Sequence, residues 1–167
     1  MIGRYLGLPF MVIAAVLQST VLPEFQVRGG RADLIFVLAV SWTLLAGGEQ
    51  GIVWALIGGV TQDLLTGMPL GTSALVLVVA MFALSQIAGQ IGRANLIVPL
   101  LAIGIGTGIY HLLMIAVYAV LGRSAPLTYS LINVTLPTLV LNLIIILPVF
   151  RVMGRLYQAI TPRRVTL

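Results

Sequence analysis

The stretch "GIVWALIGGVTQDLLTGMPLG", residues 51–71, decides how the fold is interpreted. It begins as an apolar helical run, reaches an acid at Asp63 and breaks at Gly67, Pro69 and Gly71. Glycine adopts backbone angles closed to other residues, while proline fixes its own φ angle and biases the preceding residue away from helix. The pattern therefore predicts a helix that stops abruptly and restarts, with the turn acting as a rigid joint.

Small residues precede Asp63 at helical spacing. Gly51, Ala55, Gly59 and Asp63 are four residues apart, so they share one stripe of the helix. Small side chains let a second backbone approach closely in a membrane helix. The stripe is predicted to be a helix-packing face, or a face for a partner's helix, with Asp63 at its end.

Three interpretations of Asp63 follow from its position. It caps the backbone of the turn or pairs with an arginine, it forms a gate or partner contact, or it relays protons or ions. A charge at membrane depth is unfavourable by about 2.5 to well over 10 kcal/mol, so such an acid faces protein or water. A relay would need further acids at that depth, whereas Glu24, Asp33 and Glu49 all fall in predicted loops or at helix ends.

The composition indicates a membrane protein. Of the 167 residues, 60% are hydrophobic and only 8% are charged, whereas soluble domains are about 25% charged. We therefore expect residues 1–167 to form a single polytopic membrane domain. All nine basic residues are arginine and they form no basic patch typical of nucleic-acid binding. The chain has no cysteine, which excludes disulfides and thiolate metal sites.

Apolar runs predict a compact all-α bundle of about six transmembrane helices, since one crossing needs about 20 residues. The second and third runs are short, so they either span the membrane or form a re-entrant hairpin enclosed by the others. The first run is too long for a signal peptide. The predicted helices are residues 5–21, 34–46, 51–65, 70–88, 96–121 and 131–153, followed by a short basic tail at 154–167.

Arginines near the helix ends predict the orientation. With the N-terminus in the cytoplasm, six arginines lie on the cytoplasmic side and three outside. The six are Arg4, Arg93, Arg151, Arg155, Arg163 and Arg164, and the three are Arg28, Arg31 and Arg123. We expect both termini in the cytoplasm, with the basic tail contacting anionic lipid headgroups.

Three polar residues are candidates for buried interhelical hydrogen bonds, namely Gln62, His111 and Asn142. His111 is the only histidine, and without a second ligand it does not predict a metal site. Its expected role is an interior hydrogen bond, with Asp63 or Asn142 as the candidate partner. Such bonds contribute about 0.6 kcal/mol each in membrane proteins.

A GxxxG pair, Gly104 and Gly108, lies in the same predicted helix as His111. It is a second candidate face for close helix contact, within the chain, with a partner or in a homodimer. No GxSxG motif, phosphate loop or dinucleotide fingerprint occurs, and lysine is absent. We therefore predict no catalytic residue, no cofactor and no metal.

The segment "GGVTQDLLTGMPLGTSAL", residues 58–75, in a small and almost wholly apolar chain resembles the bacterial rod shape-determining protein family MreD. The resemblance covers essentially the whole chain in length and hydropathy. The motif positions, offered for their structural weight, are Gly58, Gly59, Asp63, Gly67, Pro69, Leu70 and Gly71.

The resemblance implies a non-enzymatic scaffold or regulator of cell shape in the bacterial inner membrane. It implies direct binding to the bitopic protein MreC and, through MreC, links to MreB, RodA and a class B penicillin-binding protein. The implied role is support of elongation-specific peptidoglycan synthesis. The resemblance carries no catalytic residue over to this chain.

An alternative is the substrate-binding component of an energy-coupling-factor vitamin transporter. These components resemble this chain in size and hydropathy, and an MreD-like fold is similar to theirs. They typically carry an AxxxA pattern on the first helix. Here Gly3 and Gly7 have that spacing and Ala14 and Ala15 are adjacent, so the pattern is missing.

Overall fold

The computed structural model describes residues 2–88, 97–122 and 126–161, which form six helices and no strand. The helices are α1 (Ile2–Thr20), α2 (Leu34–Ala46), α3 (Gly48–Thr66), α4 (Thr72–Ala88), α5 (Ile97–Val120) and α6 (Leu127–Ile160). A short 3₁₀ turn, Leu22–Phe25, follows α1. The all-α prediction is confirmed. Arg93, Arg123, Arg163 and Arg164, which enter the predicted orientation, lie outside the described residues.

Helix α2 is the central element. It has 13 residues, about 20 Å at 1.5 Å per residue, and nine of them are buried. Its N-terminus lies halfway along the last helix, because the Asp33 amide donates to Oδ1 of Asn142 at 2.9 Å. Asn142 is residue 16 of the 34 in α6. The chain before α2 thus enters the bundle, and at Gly30 an added Cβ would lie only 2.7 Å from the Val134 carbonyl oxygen.

Helix α3 is longer than predicted. It begins at Gly48 and has 19 residues, whereas the predicted helix covers 51–65. The reason is Gly47, whose φ of 94° reverses the chain immediately after α2 and lets α3 start without a loop. Of the two early helices only α2 is short, and the chain ahead of it enters the bundle at residues 30–33. Whether α2 and α3 cross the membrane or form a re-entrant hairpin stays a prediction.

Helix α6 also exceeds its predicted range of 131–153. It runs from Leu127 to Ile160, so residues 154–160, predicted as tail, are helical. The helix passes Pro137, which has no N–H for the carbonyl of Asn133. The backbone accommodates this with a π-helical segment, Leu131–Thr135, in which the Leu136 amide donates to the Leu131 carbonyl.

The outer surface of the bundle is apolar. By length and composition, α5 and α6 could each cross a membrane. Only 28% and 17% of the residues in their 18-residue apolar stretches are buried. A core helix of a soluble protein would instead be mostly buried. The shorter apolar helices are Leu6–Thr20, Leu34–Ala46 and Thr72–Gln86. This exposure of long apolar helices is typical of a membrane protein.

Two features mark the two ends of the bundle. Near the C-terminal end of α2, Trp42 stacks on Trp54 with ring centroids 4.3 Å apart, and Phe10 and Tyr157 pack beside them. At the other end the connections after α1 and α3 meet the last turns of α5 and the first turns of α6 around one cavity. We call this second end the loop end.

Candidate functional site

The carboxylate of Asp63 caps the start of the next helix. Asp63 is 1% exposed, and its Oδ2 accepts from the Gly71 amide at 2.8 Å while Oδ1 accepts from the Ser73 amide at 2.9 Å. Helix α4 begins at Thr72, so these are amides of a helix N-terminus, which lack partners in the helix and carry partial positive charge. Of the three interpretations, the structure supports the cap.

The joint between α3 and α4 has the predicted geometry. Gly67 ends α3 in the left-handed conformation, with φ of 67°, and Gly71 has φ of 95°. The Thr72 amide closes the turn by donating to the Pro69 carbonyl at 3.1 Å. Leu70 projects from the turn and is 70% exposed, so this motif position makes little contact with the core.

The stripe of small residues on α3 is filled by the chain itself. A Cβ at Gly59 would lie 2.5 Å from the Ala74 amide nitrogen, and one at Gly51 would lie 2.8 Å from the Thr43 Cα. Ala55 between them is fully buried. The stripe therefore serves helix packing against α2 and α4. Within the described residues α2 and α4 cover these positions, so the use of the stripe as a partner face stays a prediction that this packing does not favour.

Gly58 lies beside the stripe and allows close helix packing on another side of α3. A Cβ at Gly58 would lie 2.6 Å from Cγ2 of Ile35 and 3.0 Å from the sulfur of Met11. Glycine is therefore needed for α3 to approach both α2 and α1. Both members of the glycine pair in the motif are packing positions.

The second glycine pair lies on the surface. No atom of the described residues comes within 4 Å of a Cβ added at Gly104 or Gly108. Exposed apolar side chains flank the pair on the same face of α5, with Leu101 and Ile105 half exposed and Leu112 56% exposed. We call this surface the α5 face. It is an apolar strip that the described residues leave uncovered.

His111 does not meet either predicted partner. Its Nδ1 lies 3.0 Å from Oγ1 of Thr135 on α6. The structure thus gives His111 a partner other than the two candidates. Both carboxylate oxygens of Asp63 accept from the start of α4. In Asn142, Oδ1 accepts at the start of α2 and Nδ2 donates to α5. The remaining candidate, Gln62, interacts with the side chain of Tyr110.

The start of α2 holds a polar network of which sequence reasoning identified only Asn142. Oδ1 of Asp33 accepts from the Phe36 amide at 3.0 Å, and Oε1 of Gln18 accepts from the Ile35 amide at 3.1 Å. Side chains from α1 and α6 thus satisfy amides that a buried helix start would leave unpaired. A signal was present, since an aspartate directly before an apolar run is a helix-start signature.

The same network includes Asn142. Its Oδ1 accepts from the Asp33 amide at 2.9 Å, and its Nδ2 donates to Oγ1 of Thr107 at 3.3 Å. Asn142 therefore ties α6 to the start of α2 and to α5. The prediction of Asn142 as a buried interhelical hydrogen-bonding residue is consistent with this placement.

A cavity of about 510 Å³, with both polar and apolar lining residues, occupies the loop end above the start of α2. It is lined by Gln18, Arg31, Gln62, Tyr110, His111 and Thr135, among others. A smaller cavity of about 260 Å³ adjoins it and shares Gln18, Arg31, Gln62 and Thr66. Among the described residues, no group of three His, Cys, Asp or Glu side chains could hold a metal ion.

These features define a helical membrane protein whose buried polar side chains cap and join its helices. The chain belongs to the rod shape-determining protein MreD family, whose family model matches residues 1–160. Neither curated proteins nor solved structures give a significant match. The family is a component of rod-shape determination, so a role of this chain in rod shape follows from its membership. The likeness to vitamin-transporter components stays a prediction.

Proposed function

We propose that this chain is a non-enzymatic scaffold of the bacterial inner membrane that binds MreC through a membrane helix. Through MreC it would act with MreB, RodA and a class B penicillin-binding protein in elongation-specific peptidoglycan synthesis. Family membership and the uncovered α5 face support the proposal. A second copy of the chain in a homodimer is the alternative occupant of that face.

The choice of the α5 face rests on a comparison of the small-residue stripe on α3 with the Gly104–Gly108 pair on α5. The α3 stripe is in contact with α2 and α4, whereas no described residue covers Gly104 and Gly108. Without a hydrophobic driving force between helices in lipid, association depends on close packing at small residues. The α5 face offers this packing with Leu101, Ile105 and Leu112 beside it.

Co-purification with MreC tests the proposal. Gly108→Leu places a large side chain on the α5 face and is expected to reduce recovered MreC at least tenfold. Gly154→Leu is the matched control, because a Cβ there also meets open space but lies on α6. Equal recovery of MreC with both variants would refute docking at the α5 face. Loss of self-association instead of MreC would favour the homodimer.

The proposed orientation places both termini in the cytoplasm and the loop end outside. The exposed Arg151 and Arg155 near the end of α6 would then contact anionic lipid on the cytoplasmic side. The chain has no cysteine, so a single Glu24→Cys substitution gives an unambiguous probe. A membrane-impermeant maleimide is expected to label it in intact spheroplasts. Labelling only after lysis would reverse the orientation.

A further inference from the structure

The cavity at the loop end has the size and position of a binding site. Its volume of about 510 Å³ lies within the roughly 300–1,000 Å³ common for small-molecule sites. Asp33 at the start of α2 lines it at mid-depth, while Gln26 and Met68 line it from the connecting loops. A molecule could therefore enter from the loop end and reach the middle of the bundle.

Arg31 gives the cavity an available cation. It is half-buried and lines both cavities, and within the described part of the chain it makes no ion pair. The nearest acid in sequence, Asp33, interacts with it electrostatically, but its carboxylate is engaged by the Phe36 amide and the Gln18 side chain. The guanidinium donors of Arg31 thus remain free to hold an anionic group, which they do with directed hydrogen bonds.

Gln62 gives the cavity an unused acceptor. Its Oε1 is enclosed and has no hydrogen-bond donor among the described residues. A buried acceptor of this kind normally has a partner. Because Gln62 lines both cavities together with Arg31, a bound molecule could supply that donor.

The remaining wall of the cavity is partly apolar. Met114 and Ile115 on α5 and Val134 on α6 also line it. The three properties together select a ligand class: an anion for Arg31, a hydroxyl or N–H donor for Gln62, and a short apolar portion for this wall.

We propose that the loop-end cavity binds a phosphate or carboxylate group that carries an adjacent hydroxyl or N–H donor. The phosphoglycerol headgroup of a membrane lipid and a free, water-soluble glycerol phosphate share this chemistry. Binding depends on Arg31 and Gln62 and is independent of partner docking at the α5 face.

The test uses the full-length chain purified in dodecyl maltoside, with its melting temperature followed during titration. The probes are dihexanoyl phosphatidylglycerol and glycerol 3-phosphate, with dihexanoyl phosphatidylcholine as the lipid that lacks the headgroup hydroxyl. We expect saturable stabilisation by at least one of the first two probes and a one-to-one adduct in native mass spectrometry. A response to the lipid alone assigns a membrane ligand, and a response to glycerol 3-phosphate assigns a soluble one.

Two variants and one control locate the site. Arg31→Gln should weaken apparent binding at least tenfold, and Gln62→Leu should weaken it several-fold. Arg28→Gln removes a charge from the same loop, but Arg28 is exposed and does not line the cavity, so its binding should match wild type. Absence of a saturable shift in wild type, or equal binding by the Arg31 and Arg28 variants, would overturn the proposal.

Discussion

The substitution Asp63→Ala tests the joint between α3 and α4. The carboxylate accepts from the Gly71 and Ser73 amides at 2.8 and 2.9 Å. A hydrogen bond to a charged group contributes about 1.5–3 kcal/mol, and water can replace the acceptor only at the part-buried Gly71 amide. We expect a loss of about 3–5 kcal/mol in the free energy of unfolding, a large share of the roughly 5–15 kcal/mol typical of a domain.

The assay is equilibrium unfolding of the purified chain in mixed detergent and SDS micelles, supported by melting curves. Asp63→Asn retains one acceptor and should lose about half as much stability as Asp63→Ala. Glu24→Ala removes an exposed acid and should stay within about 0.5 kcal/mol of wild type. If Asp63→Ala were as stable as wild type yet failed to support rod shape, the helix cap would not explain the role of Asp63. Asp63 would then act in a gate or a partner contact.

Two further substitutions test packing and the buried network. Gly59→Val should destabilise the chain by about 3 kcal/mol, because its Cβ would lie 2.5 Å from the backbone of α4. Its control, Gly104→Val, lies in open space and should melt like wild type. Similar melting of both variants would refute the packing account. Asn142→Leu leaves the Asp33 amide without its acceptor and should cost about 1–3 kcal/mol. Asn133→Leu is its control on the same helix, and an equal effect would contradict the assigned role of Asn142.

The joint was predictable from sequence because its determinants are local. Gly67 and Gly71 adopt the positive φ angles that the motif indicates. The spacing of Gly51, Ala55 and Gly59 placed them on one packing face, since helical periodicity depends only on sequence separation. Whether a face packs inside the chain or stays open is not local. Sequence alone therefore does not distinguish the α3 stripe from the α5 face, because the difference depends on the neighbours of α3 and α5.

The polar network and the cavity were less accessible to sequence reasoning. Asp33 carried a helix-start signal, but the side chains that complete the network are distant in sequence. Gln18 lies 17 residues from the Ile35 amide that donates to it, and Asn142 lies 109 residues from the Asp33 amide. The hydrogen-bond partner of His111 was not predictable for the same reason, because Thr135 reaches it only after α5 and α6 pack. The predicted bounds of α6, 131–153, were too short at both ends, and the π-helical segment lets the helix continue past Pro137.

Photo-crosslinking from single cysteines tests the central claim most directly, namely that the α5 face binds MreC. The chain has no cysteine of its own, so a benzophenone maleimide can be attached at one chosen position. Ile105→Cys lies on the α5 face, and the control Leu75→Cys replaces an apolar side chain on α4 that is still more exposed. We predict a crosslink to MreC from position 105 and at least tenfold less from position 75. Crosslinking from position 75 with none from position 105 would contradict the account.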